Sequence, residues 1–238
     1  MIDVTPLYKY DISGPEAADY LSWVTVRDVT RLKQGRSTYL CWTDEAGKVI
    51  DDGTCSRIGP EHYRVTAAEP MFHWFSQNAH GFEVEVSDVS SEWAALAIQG
   101  PTSRDILRTV SSGIDVDALP FFGVASGELA GAQGIVTRTG YTGDLGYELW
   151  VRNADAITLW DTIFDRGQAH GVYPAGLNAL DVCRVEAGFI MMGVDYTGAF
   201  DAVIPSQTST PYELGLGWTV NLKDRDPFIG QAALEKEK

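Results

Sequence analysis

A strand, a Gly-Pro step and an amphipathic helix occur twice in this 238-residue chain, as "KYDISGPEAADYLSWV" around Gly14-Pro15 and as "AALAIQGPTSRDILRTV" around Gly100-Pro101. Proline in a helix's first turn has its φ already set, and the apolar residues that follow recur at helical spacing. A recurring strand-turn-helix unit constrains the fold strongly, because each copy must bury the apolar side of its own sheet and helices. The expectation is an α+β fold of two tandem units. Each packs helices on one face of an antiparallel sheet, near a ferredoxin-like arrangement. The boundary is expected near residue 90, with 1–90 as the first unit and 91–238 as the second unit with a C-terminal extension.

Between the two Gly-Pro steps, "RSTYLCWTD", "VIDDGTCSRI" and "HYRVTAA" read as a three-strand meander with glycine-marked turns. "EPMFHWFSQNAHG" reads as a helix and "FEVEVSDV" as a strand of period two. In the second half, "GVASGELAGAQGIVTRTG" predicts a hairpin and "YELWVR" a strand. "NADAITLWDTIFDRGQAHG" predicts a helix capped by Asn153 and ended at Gly171. "AGLNALDVCRVEAG" predicts a further helix, and the tail from "TPYELGLGWTVNL" a strand, a loop and a last helix.

Composition excludes several classes of function. A net charge of −15 opposes binding to nucleic acid. No apolar run approaches the ~20 residues of a membrane span. The N-terminus lacks the regions of a signal peptide, so a cytoplasmic location is expected. Cys41, Cys55 and Cys183 show no metal or disulfide spacing, and His62, His73, His80 and His170 form no ligand cluster, so no metal is expected.

Three places carry chemistry out of keeping with their surroundings. Asp51 and Asp52 are adjacent in a strand, where carboxylates are disfavoured and successive side chains point to opposite faces. Alternation groups Asp51 with Val49 and Cys55, and Asp52 with Ile50 and Thr54, and leaves open which aspartate is functional. Glu148 interrupts an apolar and aromatic strand, so it either faces solvent or is buried with a partner. "GYTGDLG" has the glycines of a ligand cradle but neither dinucleotide-fold nor P-loop spacing, and a tight hairpin or bulge is the favoured reading.

"AGKVIDDGT" resembles the "GGIIDDL" hairpin of the glycine cleavage T-protein family, the tetrahydrofolate-dependent aminomethyltransferases. The resemblance continues in order through "RDVTRLKQGRSTY", "AIQGP", "TRTGYTGDLGYEL", "PAGLNALDVCRVEAG", "PYELGLGWTVNL" and "FIGQAAL". It implies the folate-binding part of a cloverleaf around a central cavity, with tetrahydrofolate as cofactor. It implies that Asp52 is the catalytic carboxylate, that Tyr141 lines the folate site, and that Glu148 binds the pterin. At other folate-contacting positions this chain departs from the family. Thr66 stands for an asparagine, Pro6 and Leu7 for a His-Met pair, and Leu180 for the arginine at the folate tail. The family's usual N-terminal segment and C-terminal β-barrel domain are not matched by these 238 residues, which puts the activity of this stretch by itself in question.

The implied function is transfer of a one-carbon unit from an aminomethyl-lipoyl protein to tetrahydrofolate with release of ammonia, so folate and a lipoyl-carrying protein are the expected partners. Two alternatives remain open. One is tetrahydrofolate-dependent demethylation of an O-, S- or N-methyl compound. The other is non-catalytic folate binding, although "FIMMGVDY" lacks the motif of the family members that assist iron–sulfur assembly.

Overall fold

The computed structural model describes residues 1–238. In chain order the elements are β1 (Ile2–Asp3), β2 (Tyr8–Ser13), α1 (Ala17–Val24), β3 (Arg36–Thr43), β4 (Val49–Gly59), β5 (His62–Ala67), α2 (Phe72–Asn78) and β6 (Glu85–Asp88). There follow β7 (Trp93–Gln99), α3 (Ser103–Val110), β8 (Ser111–Ser112), β9 (Val124–Leu129), β10 (Ala132–Thr137), β11 (Gly146–Arg152), α4 (Ala156–Gly167), α5 (Leu177–Glu186) and α6 (Gln231–Glu237). No helix is long and apolar enough to cross a membrane.

The chain divides into two compact units, and each is discontinuous. One comprises Met1–Pro6 with Val89–Phe189, the other Leu7–Asp88 with Ile190–Lys238. The chain crosses between the units after Pro6, after Asp88 and after Phe189. The short β1 joins the 89–189 unit because it pairs antiparallel with β7, and the tail from Ile190 joins the 7–88 unit.

The Leu7–Asp88 sheet has the order β3-β4-β5-β2-β6, and the other β1-β7-β11-β10-β9-β8. Apart from the short β8 the two orders correspond: β7 matches β2, β9 to β11 match β3 to β5, and β1 takes the edge held by β6. The recurrence in sequence is therefore a recurrence in topology. Gly14 and Gly100 end the equivalent strands with φ of 135° and 112°, where a Cβ is strained.

Period two sorts the side chains. In the Leu7–Asp88 unit Tyr10, Ile12, Leu40, Trp42, Cys55, Tyr63 and Val65 meet Ala17, Tyr20, Leu21 and Val24 of α1 and Phe75 of α2 in one buried core. In the other unit Leu96, Ile98, Val136, Tyr147, Leu149 and Val151 meet Ile106, Leu107 and Val110 of α3 and Leu159 and Ile163 of α4. Each core holds well over ten buried apolar side chains at roughly 1.5–3 kcal/mol apiece, which makes it the dominant favourable contribution to folding.

The tail differs from its sequence reading. "TPYELGLGWTVNL" forms turns and a short 3-10 helix at Gly217–Thr219 instead of a strand. Its apolar residues Leu216 and Val220, with Met192, Tyr196, Phe228 and Leu234, pack on Val26, Cys41 and Val49. Burial on that face, rather than strand pairing, fixes the segment. Asn153 does not cap α4 either. It opens a 3-10 turn, Asn153–Asp155, and its side-chain amide donates to the Ser91 carbonyl. Gly171 does close the helical stretch, with φ 73°.

Candidate functional site: a carboxylate on each sheet

The aspartate pair lies on β4 where it meets β3. Cys41 pairs with Asp52 and Trp42 with Asp51, then the register shifts so that Thr43 pairs with Val49. Ile50 is the extra residue of a β-bulge. Asp51 and Asp52 do face opposite ways, but the bulge reverses the two residues before them. Ile50 enters the helix-packed core and Val49 the tail-covered cluster. Strict alternation had grouped Ile50 with Asp52, and an inserted residue is what alternation alone does not register.

Asp51 is fully buried. Regular pairing of β4 with β5 runs only from Cys55↔Val65 to Gly59↔His62. Where that ladder stops, Asp51 takes over as acceptor. Its Oδ1 receives the N–H of Asp52 at 2.8 Å and its Oδ2 that of Glu69 at 3.2 Å. Burial, and then the charge of Asp52, push Asp51 up to about 7 against these backbone N–H groups. The folded value thus lies above the unfolded one of 3.8, so the folded chain holds a proton that the unfolded chain has lost. Stability from this group is full below about pH 4 and is lost as pH rises toward 7. Urea unfolding across that window is expected to show a decline of a few kcal/mol, and the decline should flatten in Asp51→Asn.

Asp52 is half-buried on the other face and has a different set of partners. Tyr39 donates its hydroxyl to Oδ2 at 2.7 Å, and Tyr196 donates to Oδ1 at 2.5 Å. Burial raises the carboxyl's affinity for a proton, while the two phenols, Tyr196 first, oppose the rise. No cation pairs with Asp52. Tyr39 is reached diagonally across the hairpin, since its own partner is Thr54. Its ring stacks on Trp218 at 5.8 Å, and Arg27 lies over that indole at 5.5 Å. Sequence reasoning missed both tyrosines. The bulge hides Tyr39: counted from Thr43↔Val49 without it, Leu40 rather than Cys41 would oppose Asp52, and Tyr39 would fall on the other face. Nothing local points to Tyr196.

Thr66 is buried on the same sheet face. Its hydroxyl accepts from Thr54 N at 3.2 Å and lies 2.9 Å from Thr54 Oγ1. Leu7 is half-buried at the first position of this unit, and its carbonyl accepts from Lys9 Nζ at 2.7 Å. Asp52, Thr66 and Leu7 thus fall in one unit, and Tyr141, Glu148 and Leu180 in the other.

Glu148 on β11 pairs with Thr137 of β10 and Ala97 of β7. Its neighbours Tyr147 and Leu149 point into the core with α3 and α4, so the carboxylate points away from those helices. Thr137 Oγ1 lies 3.5 Å from Glu148 Oε2 and 2.6 Å from Thr139 Oγ1. Burial holds Glu148 above the usual carboxylate range, and the hydroxyls of Thr139 and Thr137 pull it down. An ionised carboxylate accepts at about four lone-pair positions. With only threonine hydroxyls and no cation beside it, Glu148 has unused capacity for N–H donors.

Tyr141 and Leu180 come together in an apolar cluster with Ile2, Ala97, Val4 and Ala175. The Tyr141 ring also stacks on Phe189 at 5.6 Å. Leu180 and Arg184 are the buried residues of α5; the Arg184 guanidinium pairs with Asp181, and at Leu180 itself the contact is van der Waals. The glycines of "GYTGDLG" resolve as a turn wrapped around one side chain. A Cβ on Gly140 or Gly146 would lie 2.0 or 1.8 Å from Gln99 Oε1. The Gln99 amide bonds Thr139 O and Thr142 Oγ1. Close approach to Gln99 explains these two glycines without a ligand.

Residues 1–224 match the family described as the GCVT N-terminal domain. An aminomethyltransferase of Halothermothrix orenii is 36% identical over 242 residues, which span all of this chain and 64% of the relative. A trimethylamine-oxide aldolase of Ruegeria pomeroyi is 34% identical over 249 residues, spanning all of this chain and 30% of the relative. The crystal structure of glycine cleavage system aminomethyltransferase T from Bartonella henselae superposes with a TM-score of 0.84 at 26% identity, covering 99% of this chain and 62% of that one. The chain therefore spans somewhat less than two thirds of the aminomethyltransferases it matches.

Proposed function

The chain belongs to the GCVT N-terminal domain family, and from that premise we propose that it serves a cytoplasmic, tetrahydrofolate-dependent one-carbon transferase acting on an aminomethyl group borne by a lipoyl-carrying protein. Tetrahydrofolate gains a methylene unit, ammonia leaves, and the carrier regains its thiol. The observation that carries the reading is Asp52. It is a half-buried carboxylate with no cation, held at both oxygens by phenols.

Such a carboxylate suits a reaction in which positive charge develops on a one-carbon unit as its bond to nitrogen breaks. A fixed negative group in a partly dry setting stabilises that charge without having to reorganise at the moment of reaction. Folate supplies the nitrogen that accepts the carbon. Glu148 fits a pterin, whose 2-amino and ring N–H groups are donors that match its unused acceptor positions. Tyr141 and Phe189 offer aromatic faces, and Thr66 and Leu7 are assigned to folate contact. At Leu180 the contact is apolar, so recognition of an anionic tail is not assigned to this position.

A second reading is removal of a methyl-derived carbon from a small amine. Supporting it are the apolar surroundings of Leu180 and the 34% identity to an enzyme named for trimethylamine oxide. The separating experiment measures ammonia, methylenetetrahydrofolate and methyltetrahydrofolate with two donors, an aminomethyl-lipoyl carrier protein and an N-methylated amine, whose methyl group passes without an oxidant as methyltetrahydrofolate. Ammonia formed only with the lipoyl carrier supports the first reading. One-carbon transfer from the methylated amine alone overturns it.

A further inference from the structure

We infer that Tyr196 is a positioning residue for Asp52, whose phenol fixes the carboxylate's direction by donating to Oδ1. This rests on the functional reading above for its consequence in turnover, but the contact itself can be tested without any substrate.

Two observations set Tyr196 apart from an ordinary buried tyrosine. Its hydroxyl is aimed at a carboxylate, at 2.5 Å, across a sequence separation of 144. Also, the backbone that carries it is anchored to the strand bearing Asp52. Gly193 N donates to Tyr196 O at 2.8 Å, closing a turn, and Ala199 N donates to Val49 O at 2.8 Å. Between these, Gly198 runs so close to β4 that a Cβ there would lie 2.5 Å from the Ile50 carbonyl oxygen. The segment is thus seated on the bulge beside Asp52, and a residue with a side chain at 198 would lift it.

The titratable groups near Asp52 are Tyr39 and Cys41 on β3, Tyr196, and the adjacent Asp51, which points to the other sheet face. None is a cation. Burial favours a neutral Asp52, so the phenol hydrogen bonds are the local force that favours charge. Tyr39 shares this task but also stacks on Trp218. Tyr196 is 6% exposed. Burial, together with Asp52, pushes its own ionisation far upward, so it remains a donor throughout the working range of pH.

The test follows the 13C signal of the Asp52 carboxyl carbon in protein labelled at aspartate, assigned by its loss in Asp52→Asn and titrated with pH. In Tyr196→Phe the midpoint is expected to rise by about one pH unit or more, since a hydrogen bond to a charged group is lost. The acid limb of the pH–rate profile should move by the same amount. Turnover at neutral pH should fall roughly tenfold while KM for tetrahydrofolate holds. Gly198→Ala, which keeps the phenol but displaces its segment, should move the midpoint in the same direction. A midpoint that stays put in folded Tyr196→Phe overturns the inference, even if activity is lost. A midpoint that moves in a protein without folate-dependent turnover upholds the contact and counts against the functional reading alone.

Discussion

Replacing Asp52 by asparagine is expected to lower kcat by about 10²–10³-fold with little change in the affinity for tetrahydrofolate. Asparagine has the shape of aspartate and keeps an oxygen for one of the two phenols, so the local structure should survive. What it lacks is the negative charge. If that charge acts on positive charge that develops only as the carbon–nitrogen bond breaks, its loss appears in turnover and not in binding. Stability should hold or improve, because an unpaired, partly buried charge is costly to keep. Thermal unfolding alongside steady-state kinetics checks both parts. A variant that binds folate weakly but turns over normally would assign Asp52 to recognition instead.

Glu148→Gln is expected to act in the opposite manner, weakening tetrahydrofolate binding by roughly 10–100-fold. The glutamate accepts only from threonine hydroxyls, so its remaining acceptor positions are open to N–H donors of a pterin. A glutamine offers one neutral acceptor, and its amide hydrogens would face the ligand's own donors. Thr137 and Thr139 can donate to the glutamine carbonyl, so the β10–β11 ladder should be unaffected. Calorimetric titration with tetrahydrofolate gives the affinity, and an unchanged Kd would remove Glu148 from the folate contacts.

Much of the framework is legible in the sequence, for identifiable reasons. Gly14-Pro15 and Gly100-Pro101 mark equivalent strand ends because a left-handed glycine and a proline in the turn that leads into the helix, one residue before its N-cap rather than in its first turn, are local requirements, and local requirements leave local signals. Glu148 stands out because a carboxylate in an apolar strand needs an explanation wherever it occurs. The separation of Asp51 from Asp52 follows from the pleat. The bulge at Ile50 does not, since an inserted residue changes register without changing composition.

Tyr196 is hidden for a different reason. It lies in an irregular segment with no periodicity, and its partner is far away in sequence. The tail misread as a strand has the same origin: "YELGLGWTV" has apolar residues in the right numbers, but burial on β3 and β4 fixes them, not pairing. The fate of Leu180 was legible only through family resemblance. The structure adds that Leu180 shares an apolar cluster with Tyr141.

The adjacent aspartates provide the sharpest test. Folate-dependent turnover of Asp51→Asn and Asp52→Asn, measured side by side on protein shown to be folded, is the deciding measurement. The expected result is that Asp52→Asn loses about 10²–10³-fold in kcat, while Asp51→Asn, whose carboxylate serves the backbone, keeps most of its turnover. Equal losses, or a loss confined to Asp51→Asn, would contradict the assignment of Asp52 as the functional carboxylate.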